Sequence, residues 1–395
     1  MTRKGPRAGI AVEVAASMAD IERQDWDAIA NPPGRPFDPF LSYDFLASLE
    51  ASGSIAPDTG WQPQHLLLRD AGGRLAGAMP LYLKGHSLGE FVFDHGWADA
   101  YERHGLPYYP KLLSAVPVTP VPGRRLIVAE GPEAAGREEI LASAAVTLTR
   151  DRWQASSLHV TFLTAPECAR LVALGFLKRT GHQFHWLNDG FSSFEDFLDT
   201  LASRKRKALR RERRDALAAG IEIEWLTGRD ITEAHWDVFF EFYMDTGSRK
   251  WGSPYLNRQF FSLIGEAMAD RCLLVMARRS GRYIAGALNM IGGEALYGRY
   301  WGCLEQHPFL HFEICYYQAI DFAIAHRLAR VEAGAGGEHK LVRGYMPVET
   351  TSAHWIADPR FRKAIENYLV AERAHVAHES EALESFAPFR KGERS

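Results

Sequence analysis

The stretch "EQHPFLHFEICYYQ" (305–318) sets His311 and Glu313 into an apolar run, among Phe309, Leu310, Phe312 and Ile314. Polar groups in such a run are costly to bury unless hydrogen-bonded. Either they cap a helix, or one of them takes a proton from a reacting group, with burial raising a carboxylate's pKa toward the working range. A second concentration is "GAGGEHKLVRGY" (334–345). Its glycines permit close backbone approach to a ligand. Glu338 and His339 add two proton acceptors, and Lys340 and Arg343 add two cations for an anionic group. The segment lacks the GxxxxGK[ST] pattern, so it is no P-loop. A flexible turn with an exposed Glu-His-Lys trio is the other reading.

The third is "SRKRKALRRERR" (203–214), with eight basic residues and one acid between Arg204 and Arg214. Arg204, Lys205, Arg206, Lys207, Arg210 and Arg211 are candidates for an anionic partner. That partner is a phosphate-bearing donor, tRNA, or an anionic membrane face, where each basic residue contributes ~1 kcal/mol. A solvated face neutralised by Asp196, Asp199, Glu212 and Asp215 is the alternative. His307 and His311 stand four apart, but Pro308 lies between them and no third ligand is defined, so no metal is expected.

These residues need elements to hold them. A chain of 395 residues is long for one core, so two domains are expected. Hydrophobic content of 46% and charged content of 24% suit a folded, soluble protein. A net charge of -3 excludes general nucleic-acid coating and leaves anion binding to a local patch. Cys168, Cys272, Cys303 and Cys315 show no CxxC or CxH spacing and read as free thiols in a reducing compartment. The first 26 residues carry no sustained apolar core before Glu13, so no secretory signal is expected. No run approaches the roughly 18 apolar residues that span a bilayer. The expectation is a cytoplasmic protein, any contact with the inner membrane being peripheral.

Internal similarity gives the architecture. "QHLLLRDAGGRLAGAMPLYL" (64–83) and "RCLLVMARRSGRYIAGALNMI" (271–291) share an apolar strand, a Gly-Arg turn (Gly73-Arg74, Gly281-Arg282), Ala-Gly-Ala and a second strand. Tyr108 and Tyr316, each in a Tyr-Tyr pair, keep the same 208-residue offset as the two turn glycines. After these, the second half reads as a helix from near Ser193 to Gly220, the strand "IEIEWL", two helices, and three consecutive strands. A long helix over "HFEICYYQAIDFAIAHRL", the strand "RVEAGAG", a short helix or loop and the strand "TSAHWIA" complete it. The first half is a shorter, proline-broken version. The turn signal Asn188-Asp189-Gly190 places the domains at 1–188 and 189–395, the second carrying the site. The fold class is α+β: two tandem domains, each a mostly antiparallel mixed sheet flanked by helices.

The segments "SRKRKALRRERR", "LYGRYWGC", "HPFLHFEICYYQAI", "GAGGEHKLVRGYMPV" and "YYPKLLSAVPVTPVPG" resemble the FemAB-like, peptidoglycan biosynthesis/recognition family of double-GNAT transferases, from about Phe40 to about Glu372. Bacterial ceramide synthases belong to the same kind of family. The resemblance implies two GNAT-like domains and attack of a neutral amine on a thioester or ester carbonyl. His311, Glu313, Glu338 or His339 would take the proton. Lys340 and Arg343 would hold the donor's anionic groups. In GNAT folds a central strand splays from its neighbour and its N–H polarises the acyl carbonyl. Carried to "LYGRYWGC", this puts Tyr300, Trp301 and Gly302 along the acyl channel, with core packing as the other reading. The implied co-substrate is acyl-CoA, with no tightly bound cofactor. The acceptor is a primary amine, with a long-chain sphingoid base favoured. An aminoacyl-tRNA donor with a cell-wall precursor or peptide acceptor is the alternative, although the Gly220–Arg271 stretch holds two ordinary helices where true Fem transferases often insert a long helical hairpin. A non-catalytic recognition module is the third reading.

Overall fold

The computed structural model describes residues 11–390 apart from 251–253 and 335; the side chains of 248–250 and of Glu338 also lie outside the described residues. Two compact units emerge, Met1–Gly181 with Thr350–Val376, and His182–Glu349 with Ala377–Ser395. The strands are β1 (Ala11–Ala15), β2 (Trp61–Pro63), β3 (His65–Arg69), β4 (Leu75–Met79), β5 (Tyr82–Lys84), β6 (Lys111–Ser114), β7 (Ile127–Val128), β8 (Ser157–Leu163), β9 (Leu177–Leu187), β10 (Ile221–Thr227), β11 (Cys272–Arg279), β12 (Arg282–Ile291), β13 (Ala295–Cys303), β14 (Arg330–Glu332) and β15 (Met346–Ile356).

The repeated segments form matching antiparallel hairpins, β3–β4 and β11–β12. Gly73 and Gly281 turn them with φ of +82° and +78°, a region that favours glycine. The match extends to the order β1–β3–β4–β7 in the first unit and β10–β11–β12–β13 in the second, all antiparallel. It does not extend to the tyrosines. Tyr108 precedes β6 in a loop, whereas Tyr316 lies in a widened helical turn, Glu313–Tyr317. Their shared offset therefore marks no shared element.

The expected boundary at 188/189 differs from the observed one because pairing, not the turn, decides it. The end of β9, which stops at Leu187, already pairs with β14 inside the second unit, Glu332 opposite His185. The end of β15 pairs with β8 inside the first, His354 opposite His159. The helix expected from Ser193 to Gly220 is broken into Phe194–Asp199 and Ser203–Leu217. Leu201 is buried at the break and bridges to Phe389, and the Ala202 N–H donates to Pro388 O at 2.9 Å.

Alternation places the cores. In the second unit Leu273 and Val275 of β11, Leu296, Val331 and Trp186 meet Ile314, Ala319 and Phe322 from the segment 310–325. In the first, Leu112, Leu158, Val160 and Ala353 face one apolar cluster. Their alternating neighbours Lys111, Ser157, His159 and His354 are buried as well, and polar.

Candidate active site

In the second unit β13 and β14 run parallel for three pairs, Ala295↔Arg330, Leu296↔Val331 and Tyr297↔Glu332. There β14 ends and the chain enters the glycine-rich stretch, while β13 continues to Cys303 with β12 as its strand partner. A bulge marks the parting point: Asn289 opposes Gly298 and Leu288 opposes Tyr300, so Arg299 is the extra residue. Beside it Asn289 is 1% exposed, and neither its Nδ2 nor its Oδ1 has a hydrogen-bond partner among the described residues. Such an amide costs about 1–3 kcal/mol unless something satisfies it.

The helix facing this edge begins under strain. Phe309 has φ of +62°, which costs about 1–3 kcal/mol in a bulky residue. His311 then packs against Trp301 at 4.8 Å between ring centroids and lies 6.1 Å from His339. His339 Nε2 and the Tyr316 hydroxyl are 2.9 Å apart. The structure thus gathers His311, His339 and Trp301 into one cluster. Glu313 points elsewhere. It is fully buried, and its carboxylate accepts from Arg213 Nη2 at 2.8 Å and Nε at 3.1 Å and from Gln318 Nε2 at 2.7 Å. Lys340 and Arg343 are also turned inward. Lys340 Nζ donates to the carbonyls of Ala333 (2.7 Å) and Gly334 (3.1 Å), and burial lowers its pKa to about 8. Arg343 donates to Tyr317 OH, His339 O and Glu212, and lies 3.4 Å over the Phe312 ring. Both pin the glycine-rich loop and the helix start. Tyr300 packs edge-on to Tyr243. A Cβ at Gly302 would sit 2.0 Å from the carbonyl oxygen of Phe242, so this glycine admits a helix backbone. The Glu338 side chain is outside the described residues.

On the basic helix, Arg206, Arg210, Arg213 and Arg214 pair with Asp199, Glu195, Glu313 with Asp321, and Asp215 respectively. Arg204, Lys205, Lys207 and Arg211 have no acidic partner among the described residues. Of these, Arg204, Lys207 and Arg211 recur at helical spacing and are exposed, forming one cationic face.

The first unit holds a buried polar network that sequence reasoning missed. Lys111 is fully buried and donates to Ser87 Oγ and Glu90 Oε2, each at 2.7 Å, and to Asp94. The Tyr108 hydroxyl donates to Asp94 at 2.5 Å and lies 3.2 Å from His159 Nε2. His159 Nδ1 meets His354 Nδ1 at 2.6 Å, so one ring donates to the other. Burial, Lys111 and Arg179 against the pull of Asp94 bring the His159 pKa down to about 3. Lys84, 3.4 Å over the Trp61 ring, is brought by burial to about 7, and burial raises Glu90, 3.9 Å away, to about 7. The signal existed: Lys111 in "PKLLS" and His159 in "SSLHVTFL" interrupt apolar strands, as His311 and Glu313 interrupt theirs.

Residues 17–391 match the model of the family described as FemAB-like, peptidoglycan biosynthesis/recognition. The chain belongs to the FemAB-like family. Among solved structures this FemAB-like chain is similar to FemX, with 15% identity over 88% of this chain and 98% of that one, at a TM-score of 0.54. It is similar also to a conserved protein of unknown function from Bacteroides thetaiotaomicron (13%, 87% and 99%, 0.51) and to a tandem GNAT protein from the clavulanic acid biosynthesis pathway (14%, 89% and 99%, 0.48). No curated protein matches it. The fold is the mixed α+β, tandem GNAT-like one expected from the sequence. Among the described residues, no helix is long and apolar enough to cross a membrane, and no three His, Cys, Asp or Glu side chains are grouped to hold a metal ion.

Proposed function

We propose that this FemAB-like protein is an N-acyltransferase whose second unit takes the acyl thioester of acyl-CoA and passes the acyl group to a primary amine, a long-chain sphingoid base being the favoured acceptor. The observation that carries this reading is the parting of β13 from β14 after three residue pairs. A strand edge without a neighbour offers backbone N–H groups to a carbonyl oxygen that gains charge during attack. The amine nitrogen bonds to the thioester carbon, the C–S bond breaks, and free CoA leaves as the thiol. The proton shed by the amine goes to an acceptor. Glu313 is committed to Arg213 and Gln318, which favours His311 or His339 for that role. Two ordinary helices, Glu233–Lys250 and Arg258–Met268, follow β10, and this supports a CoA donor over tRNA.

Incubating the protein with long-chain acyl-CoA and sphinganine is expected to release free CoA, unaffected by ribonuclease. No release across a panel of acyl-CoAs and amines rules the reading out. The second reading is transfer from aminoacyl-tRNA to a cell-wall precursor or peptide, and the unpaired face Arg204, Lys207, Arg211 favours it. It predicts ribonuclease-sensitive transfer and a tRNA gel shift that weakens steeply with salt. The same face also suits an anionic membrane surface, which would make the protein peripheral.

A further inference from the structure

The first unit carries a groove of about 740 Å³ between the helices His95–Arg103 and Pro359–Glu384. That volume lies in the range of about 300–1,000 Å³ usual for small-molecule sites. Its floor is Trp97, Leu106, Phe361 and Ile365, of which all but Leu106 are buried. Phe93 and Tyr368, at 61% and 52% exposure, line it as well. Large apolar side chains exposed beside an apolar floor mark a ligand site more often than a solvated surface.

Charge narrows the ligand. The groove's charged and titratable lining residues are Arg179, Arg360, His104 and Tyr368, whose hydroxyl donates to Glu372 at 3.0 Å, and no carboxylate is among the lining residues. Arg179 is fixed: Glu372 accepts from it at 2.7 and 2.8 Å, and its guanidinium lies over the Trp97 ring at 5.2 Å. Arg360 is different. Its side chain is 80% exposed, and its one acidic partner is Asp358 at 2.9 Å. An exposed pair of that kind is worth about 0–1 kcal/mol, so another carboxylate can draw the guanidinium away and bind it two-pronged.

We propose that this groove binds a long-chain fatty carboxylate, the alkyl chain on Trp97 and Phe361 and the head group on Arg360. A long-chain amine of the same length is disfavoured by the same cations. The inference is independent of the transfer reaction, since it concerns other residues and needs no turnover. The test is titration of the full chain with cis-parinarate, followed by displacement with oleate, oleyl alcohol and oleylamine. Saturable binding at one site per chain is expected, with oleate displacing best. R360A is expected to weaken oleate by about tenfold or more, the scale of a lost charge-assisted hydrogen bond, and to leave oleyl alcohol unchanged. A364W, at an exposed lining position of the long helix, is expected to abolish binding by filling the groove while the circular dichroism stays native. Absence of saturable binding, full binding by folded A364W, or oleylamine displacing as well as oleate overturns the proposal. So does A364W-sensitive binding to phosphatidylglycerol vesicles that oleate does not compete, because the groove would then dock a membrane.

Discussion

The two units share four antiparallel strands in one order and differ in what lies between the third and the fourth. In the second unit residues 292–294 turn β12 into β13. In the first, residues 80–126 separate β4 from β7 and contain β5, the helix His95–Arg103 and β6. That insertion lays β6 parallel to β8 over Leu112↔Leu158, Leu113↔His159 and Ser114↔Val160. It also brings in Lys84, Glu90, Asp94, Tyr108 and Lys111, and so a buried charge network. A three-residue turn has no strand to give, and beyond Tyr297 that edge of β13 has no strand partner among the described residues. One strand order thus carries a long connection that supplies β8 with a parallel neighbour in the first unit, and a tight turn that supplies no strand in the second.

The contrast can be broken first at Lys111. K111M leaves Asp94 buried without its ammonium partner and Glu90 with Lys84 alone at 3.9 Å, and removing one partner of a buried pair costs about 3–5 kcal/mol. Urea unfolding should show a loss of that size, and a loss below about 1 kcal/mol would mean that the network does not hold the insertion. Next is Asn289 in the open unit. N289L removes a buried amide that has no hydrogen-bond partner among the described residues, so unfolding free energy should stay level or rise by about 1 kcal/mol, while CoA release falls. A clear loss of stability would show that the amide is bonded in the folded protein.

A third test uses pH. Burial holds the folded-state pKa of Lys84 at about 7, below its ordinary 10.5. The folded protein therefore gives up that proton more readily than the unfolded chain. The cost of charging Lys84 builds as pH falls from about 10.5 to about 7 and is complete below that. The stability of K84M relative to wild type should rise across that window as pH falls and level off under pH 7. A flat difference would contradict the buried cation. The smallest effect is expected on the basic helix, where R204E, K207E and R211E should each change stability by no more than about 0.5 kcal/mol yet weaken binding to an anionic partner.

Local signals carried the hairpins, the interrupted apolar run at 305–318 and the basic helix, because each depends on neighbours a few residues apart. Partners that arrive from a distance were not legible. Glu313 meets Arg213 from 100 residues away, and His159 meets His354 from 195 residues away. Lys111 showed the same disturbance of an apolar strand as His311, but Glu90 and Asp94, which meet it in the fold, lie 21 and 17 residues away in the chain. The unit boundary failed for a related reason: a turn at Asn188 is local, whereas the pairing of β9 with β14 and of β15 with β8 is set far along the chain.

The open edge is the claim to test most directly. A photoreactive acyl-CoA, its label in the acyl chain, should be crosslinked to the protein, and the labelled peptides identified by mass spectrometry. The account predicts label within residues 295–303 and 330–343, lost when unlabelled acyl-CoA is added in excess. Competable label concentrated in residues 111–114 or 157–163 of the β6–β8 pair, or no competable label in the second unit, would contradict it.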